Sequence, residues 1–280
     1  MSKPSADCPA ITFYDIAQAP PVEETCYAPN PWKTRFALNF KAVPYSTQWV
    51  GLLDIEKVRR QLGEPPCRQF ADGSDFYTLP VVRDATTGAT VGDSLDIALY
   101  LQRTYPDSGA GDLLPAQTLD YSFTPSAPIL VPLSEHQAKG EFAEYARFNA
   151  SVDAAFTMHV PLMAQGMLFD PAEAEEIKAK FARRAGVRSW DDVALAAEAR
   201  RPLMDSFRDA LTGLAELFAR DGGGPFALGE RASYADFIVG GWLRMAQKTL
   251  PRAEWDEVRG WHGGVFARLH DALDAYAEVK

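Results

Sequence analysis

Between residues 11 and 105 the apolar positions switch between a two-residue and a helical period, which predicts strands alternating with helices. Residues 11–16 (ITFYDI) read as a first strand, and AQAPPVEET after them as a loop. In the next stretch, CYAPNPWKTRFAL, Asn30 has the side-chain acceptor of a helix N-cap, and Pro31 suits the first helical position, where no N–H is needed. Trp32, Phe36 and Phe40 then recur at helical spacing and predict one buried apolar face on a helix running to about Lys41. A strand is predicted over 45–50, then a short helix capped by Asp54 and stopped by Gly63. Residues 77–82 (YTLPVV) read as a strand whose Pro80 sits where the sheet needs no N–H donor, and residues 85–91 complete a hairpin. Asp93 or Ser94 caps a helix that ends at Tyr105, before Pro106. The predicted order is βαβαββα.

Prolines at 106, 115, 125, 128 and 132 mark a change of character, read as a linker over 107–133. From residue 134 onward the pattern is helical. Ser134 with Gln137, Ser189 with Asp192 and Ser233 with Asp236 have capping-box spacing, and each is expected to open a long helix. The Ser233 box precedes Phe237, Ile238, Val239, Trp242 and Leu243, a helix apolar on every side, and a last helix is expected over 255–279. The expected organisation is a loose terminus over 1–10, a mixed domain over 11–106, the linker, and an all-helical domain over 134–280.

A formal charge of -10 without clustered Lys and Arg speaks against a nucleic-acid surface. Cys8, Cys26 and Cys67 lack the spacing of a disulfide framework or a zinc site, and His136, His159, His262 and His270 fall at no metal or triad spacing, so no metal is expected. The first residues lack a signal-peptide pattern, and no apolar run is long enough to span a membrane. A reducing, cytoplasmic setting is the simplest expectation.

The chemistry concentrates at the first helix start. A helix N-terminus favours negative charge, so residues 27–30 are a candidate site for a thiolate or carboxylate. Three motifs in this order, WKTRFAL at 32–38, Leu79-Pro80 followed by Asp93-Ser94, and the 233–236 box preceded by FALG at 226–229, resemble those of a glutathione S-transferase. Within that superfamily the stretch CYAPNPWKTRFALNFKAVPYSTQWV is most similar to the fungal etherase-related branch, itself similar to bacterial β-etherases. The resemblance implies an α+β fold, with a thioredoxin-like N-terminal domain and an all-α helical-bundle C-terminal domain. It also implies glutathione as co-substrate, a small apolar or aromatic second substrate and a homodimer.

Carried over by residue, the resemblance implies that Leu79, before a cis Pro80, offers its backbone to the cysteinyl part of glutathione. Asp93 answers the ammonium of the γ-glutamyl end, and Ser94 with the helix start answers its carboxylate. Related fungal sequences carry Ser where this chain has Ala28, and alanine cannot donate to the sulfur. Cys26 lies two places before the position of a redox cysteine, out of register with it, and reads more readily as a loop or packing cysteine than as a catalytic one. Tyr27, Asn30 and nearby backbone amides remain candidates to stabilise the thiolate; Tyr14 reads as a core or edge tyrosine. Tyr121, Phe123, Phe156 and Met158, with Met163, Met167, Phe169 and Trp242, are candidates either for an apolar second-substrate pocket or for helix–helix core. Three readings stay open: an etherase-like transferase, a glutathione or aromatic-ligand binder with little turnover, and a tailoring factor in secondary metabolism.

Overall fold

The computed structural model describes residues 10–70, 72–126, 129, 133 and 142–280. Cys8, His136 and the Ser134–Gln137 cap lie outside the described residues. Strand β1 (Ile11–Ala17) runs parallel to β2 (Tyr45–Gly51), pairing Ile11 with Tyr45 through Ala17 with Gly51. It runs antiparallel to β5 (Val81–Asp84), and β6 (Thr90–Gly92) pairs antiparallel with β5, so the sheet order is β2-β1-β5-β6. Alternation sends Ile11, Phe13 and Val82 to one face, where they pack with helices α2 (Pro29–Phe40) and α4 (Ser94–Thr104). Ile16, Val50 and Val81 face the other way, against α3 (Ile55–Gln61). This mixed four-stranded sheet is thioredoxin-like, and the chain is α+β. A short helix α1 (Val22–Thr25) interrupts the predicted loop, and a small hairpin, β3 (Arg68–Gln69) with β4 (Asp75–Phe76), adds to the predicted order.

Helix α2 differs from expectation in two ways. It begins at Pro29 with Ala28 as N-cap, so Asn30 and Pro31 fall inside the first turn. Both prolines are tolerated because the first-turn N–H groups have no intrahelical acceptor. The helix is also buried on nearly every side. Trp32, Phe36 and Phe40 form the apolar stripe, with Phe36 and Phe40 each 5.6 Å from the Phe237 ring, but Lys33, Arg35 and Lys41 are fully buried as well. Arg35 donates to Asp15 at 2.6 Å, and Lys41 to Gln102, the Pro106 carbonyl and the Gly111 carbonyl.

Of the strand predicted over 77–82, only Val81 and Val82 lie in a strand, the start of β5. Residues 77–80 lie outside the ladder and the Leu79–Pro80 bond is cis. The Pro-rich segment is closely held where described: Leu113, Leu114, Leu119 and Tyr121 are buried, and Gln117 donates to Tyr145 and Ser233. Helices α5 (Ala143–Met158), α6 (Ala174–Ala185), α7 (Ala197–Ala210) and α8 (Thr212–Ala219) precede the central α9 (Tyr234–Thr249). The Ser233–Asp236 box forms as expected, with Ser233 N and Oγ 2.6 and 2.9 Å from Asp236. The Ser189–Asp192 box also forms but opens only a 3-10 turn, Trp190–Val193; the long helix starts at Ala197. The expected last helix is broken into α10 (Arg252–Gly260) and α11 (Val265–Ala272), because His262, Gly263 and Gly264 turn left-handed between them. No helix among the described residues is long and apolar enough to cross a membrane.

Helix α9 approaches α2 closely where it carries Gly240 and Gly241. A Cβ on Gly241 would stand 2.5 Å from the Pro29 carbonyl oxygen and 3.1 Å from Lys33 Cγ. Gly241→Ala is expected to destabilise the chain by about 1–3 kcal/mol in urea unfolding. Gly222→Ala, whose Cβ meets nothing within 4 Å, is expected to stay within about 0.5 kcal/mol of wild type.

His159 is fully buried, its Nδ1 2.6 Å from the Ala155 carbonyl and its ring stacked on Phe207. Burial pulls its pKa down, and His270 is pulled down by burial and by Arg244. The unfolded chain therefore takes up protons first as pH falls. The contribution of these two histidines to stability is expected to decrease below about pH 6.5, by at most about 1.4 kcal/mol per pH unit for each, and His159→Phe should remove its share from the profile measured by urea unfolding.

Candidate functional site

The turn from α1 into α2, the cis Leu79–Pro80 turn and the start of α4 meet at one end of the sheet. Ala28 and Leu79 share an apolar cluster with Ile16, Val50, Ile55 and Val81, which places the α2 N-cap beside the cis-proline turn. Asp93 N donates to the Pro80 carbonyl at 3.3 Å and ties the start of α4 to the same turn. Four residues singled out in the sequence, Leu79, Pro80, Asp93 and Ser94, thus stand together with Ala28.

Asp93 is the N-cap of α4, its side chain accepting from Leu95 N at 3.0 Å. Its φ of 77° lies where side-chain-bearing residues are rare, so the surrounding contacts hold a conformation the residue does not favour. The same carboxylate is 3.5 Å from Arg68 Nη2 of β3. Arg68 went unread in the sequence because its strand has only two residues, too short for any periodicity. Ser94 is buried in the first turn of α4. The arrangement offers a carboxylate for an ammonium, a hydroxyl and helix amides for a carboxylate, and between them a backbone turn that lies outside the sheet ladder.

At the other end of the cradle, donors are sparse. Ala28 has no capping side chain, and Pro29 and Pro31 have no N–H. Trp32 N is committed to the Ala28 carbonyl at 3.1 Å, so Asn30 carries the open amide of the first turn. The Asn30 side chain is half-buried. Tyr27 is buried and directs its hydroxyl to the Leu168 carbonyl, 3.4 Å away, and burial raises its pKa. Cys26 turns its thiol toward the Glu23 carbonyl at 3.6 Å. Burial, reinforced by the Asp15 carboxylate, pushes that thiol up to about 12.

Several of the aromatic and Met candidates are core. Phe156 stacks on Trp242 and meets Phe207 edge-on, Tyr121 donates to the Ala210 carbonyl, and Met163 is fully buried. Phe169 instead clusters with Phe181 and Trp190, on the segment that carries Leu168 to Tyr27. A cavity of about 420 Å³ lies between β2 and α3, lined by Tyr14, Trp49 and Lys57 among others. It touches none of Ala28, Leu79, Pro80, Asp93 and Ser94.

Two family models match the chain: the glutathione S-transferase N-terminal domain over residues 27–104 and the C-terminal domain over residues 142–276. A glutathione S-transferase, CsGST63524 of Ceriporiopsis subvermispora, solved in complex with glutathione, is 30% identical, with 97% of this chain and 99% of that one covered and a TM-score of 0.78. The chain belongs to the glutathione S-transferase superfamily. CsGST83044 of the same fungus, also solved with glutathione, is 28% identical over 94% of this chain and 98% of that one, with a TM-score of 0.75. The glutathione S-transferase-like protein ustS of Aspergillus flavus is 28% identical, with 96% of this chain and 91% of that protein covered. Cys26 is 3% exposed, and its thiol is oriented to the Glu23 backbone carbonyl, outside the apolar cluster shared by Ala28 and Leu79.

At pH 7.5 a thiol with a pKa near 12 is thiolate in roughly one molecule in 10⁴ or fewer. Iodoacetamide is therefore expected to leave Cys26 unmodified in the folded chain and to label it after urea unfolding, read by peptide mass spectrometry.

Proposed function

We propose that this chain is a glutathione-dependent transferase of etherase-like type, adding the glutathione thiolate to an apolar or aromatic electrophile. The observation that carries the reading is the contiguity of Ala28, Leu79-cis-Pro80 and Asp93-Ser94 at one end of the sheet. In this cradle Leu79 offers its backbone to the cysteinyl unit, Asp93 pairs with the γ-glutamyl ammonium, and Ser94 with the α4 start holds the carboxylate. The sulfur then points toward Ala28 and the Asn30 amide. The thiol releases its proton to solvent, and the thiolate attacks the electrophilic carbon as the leaving group departs with the bonding pair; for a β-aryl ether that group is a phenoxide. Residues 11–106 bind glutathione in this reading, and residues 134–280 supply the wall for the second substrate. A cytoplasmic homodimer goes with the family; light scattering checks the assembly.

A second reading, a glutathione or aromatic-ligand binding protein with little turnover, is favoured by the scarcity of donors at the start of α2. Ala28 has no hydroxyl, the prolines remove two first-turn amides, and the Tyr27 hydroxyl is engaged by Leu168, so thiolate stabilisation falls to Asn30.

Calorimetry with glutathione and thiolate absorbance of the bound ligand separate the readings. The transferase reading expects binding, a thiol pKa below about 8.5 and turnover on aryl halides or β-aryl ethers. Binding with an undepressed pKa and no turnover would support the second reading. Ala28→Ser is expected to lower the bound thiol pKa by about 1–2 units, since it adds one hydroxyl donor to a charged acceptor.

A further inference from the structure

Residues 77–80 belong to no strand, so the turn that would meet the cysteinyl unit of glutathione lacks the ladder that usually fixes an extended backbone. Its support comes from a side chain on the far side. Arg59, on α3, is 3% exposed and spends its guanidinium on two backbone carbonyls. Nη1 donates to Thr78 O at 2.9 Å, while Nε and Nη2 both donate to Pro65 O at 3.2 and 2.9 Å. Glu64 pairs with Nη2 at 3.6 Å. Thr78 immediately precedes Leu79-Pro80, so the fork holds the peptide from which that turn starts.

The same guanidinium also backs the other half of the cradle. Gly92 precedes Asp93, and a Cβ there would stand 2.8 Å from Glu64 Oε2 and 2.9 Å from Arg59 Nη2. The start of α4 therefore rests directly on the Arg59–Glu64 pair. One rigid fork lies behind the Leu79 turn and behind the Asp93-Ser94 cap, which in sequence are separated by a complete hairpin.

We propose that Arg59 is a positioning residue for glutathione: it sets the spacing between the Leu79 backbone and the Asp93-Ser94 cap without touching the ligand. The proposal rests on the glutathione reading above. A tripeptide held at its central cysteinyl unit and at its γ-glutamyl end responds steeply to that spacing, whereas Arg59 bonds to Thr78 and Pro65 and to neither Ala28 nor Asn30, so the thiol environment should not respond. Lysine at position 59 keeps the charge but cannot bridge Thr78 O and Pro65 O with a planar fork.

The test compares wild type, Arg59→Lys and Gly92→Ala by calorimetry with glutathione, thiolate absorbance at saturating glutathione, and thermal unfolding. Gly92→Ala retains Arg59 and displaces the fork, so it carries the test even if Arg59→Lys folds poorly. The expected result is about a tenfold or greater loss of glutathione affinity in both variants, with the pKa of the bound thiol within about 0.3 units of wild type. A purely structural role would lower the melting temperature and leave the affinity of the folded protein within twofold of wild type, and that result overturns the proposal alone. Failure of wild type to bind glutathione overturns the underlying reading and the proposal with it.

Discussion

Everything in the molecule is arranged around the buried charges of helix α2. Lys33 donates to Asp153 at 2.5 Å and to Asn149 at 2.9 Å on α5, and Trp242 of α9 donates to the same Asp153 oxygen at 2.6 Å. Arg35 reaches back to Asp15 on the central strand, and Lys41, the C-cap of α2, gathers the Pro-rich segment through Pro106 and Gly111. One helix thus holds the sheet, the connector and the helical part by ammonium and guanidinium groups that water does not reach. Such groups do not make the fold more stable than apolar packing would, because desolvation offsets most of their attraction. What they do is make wrong packing costly: an unpaired buried charge costs several kcal/mol, so α2 has one acceptable seat. The Gly240-Gly241 pair then lets α9 close on that seat.

This matters for the site because α2 carries both ends of the problem. Its first turn provides the sparse donors beside Ala28, and Lys33, one turn along, lies close enough to Asp93 and Arg68 to feel both charges. The interface between the two parts of the chain and the electrostatics of the cradle are therefore not separable. Proline at both Pro29 and Pro31 fixes the backbone there and lowers the entropy lost on ordering the loop, while removing two amides that an anion would otherwise use. The site is donor-poor beside Ala28, while the start of α4 carries the Asp93 carboxylate and the Ser94 hydroxyl.

The parts of this that are legible in the sequence are those in which a residue acts on its own neighbours. The Ser233–Asp236 box, the left-handed Gly63 stop and the Asp93 cap bond within a few residues, and the Leu79-Pro80 and Asp93-Ser94 motifs carry their own spacing. The N-cap of α2 is misplaced because Asn30 has the better capping side chain, yet Pro29 ahead of it already has a helical φ. The burial of Lys33 is invisible for a different reason: its partners lie 116 and 120 residues away, and a lysine at that position reads as solvated until they arrive. The break at His262–Gly264 and the Arg59 fork fail similarly, since a conformation or a carbonyl, not a side-chain pattern, is the deciding partner.

The outer edge of β2 has a further consequence. The strand lies at the side of the sheet, where unpaired amides invite a second sheet, and it is residues 276–280 that cover it. Asn39 donates to the Tyr276 and Glu278 carbonyls, Tyr45 to Glu278 O, and Thr47 N to Lys280 O. The guard on the sheet is thus drawn from the helical part of the chain, more than two hundred residues distant in sequence. The helices hide their apolar faces on α2, and the last residues of the helical part in return lie over part of the β2 edge, where another strand could otherwise pair.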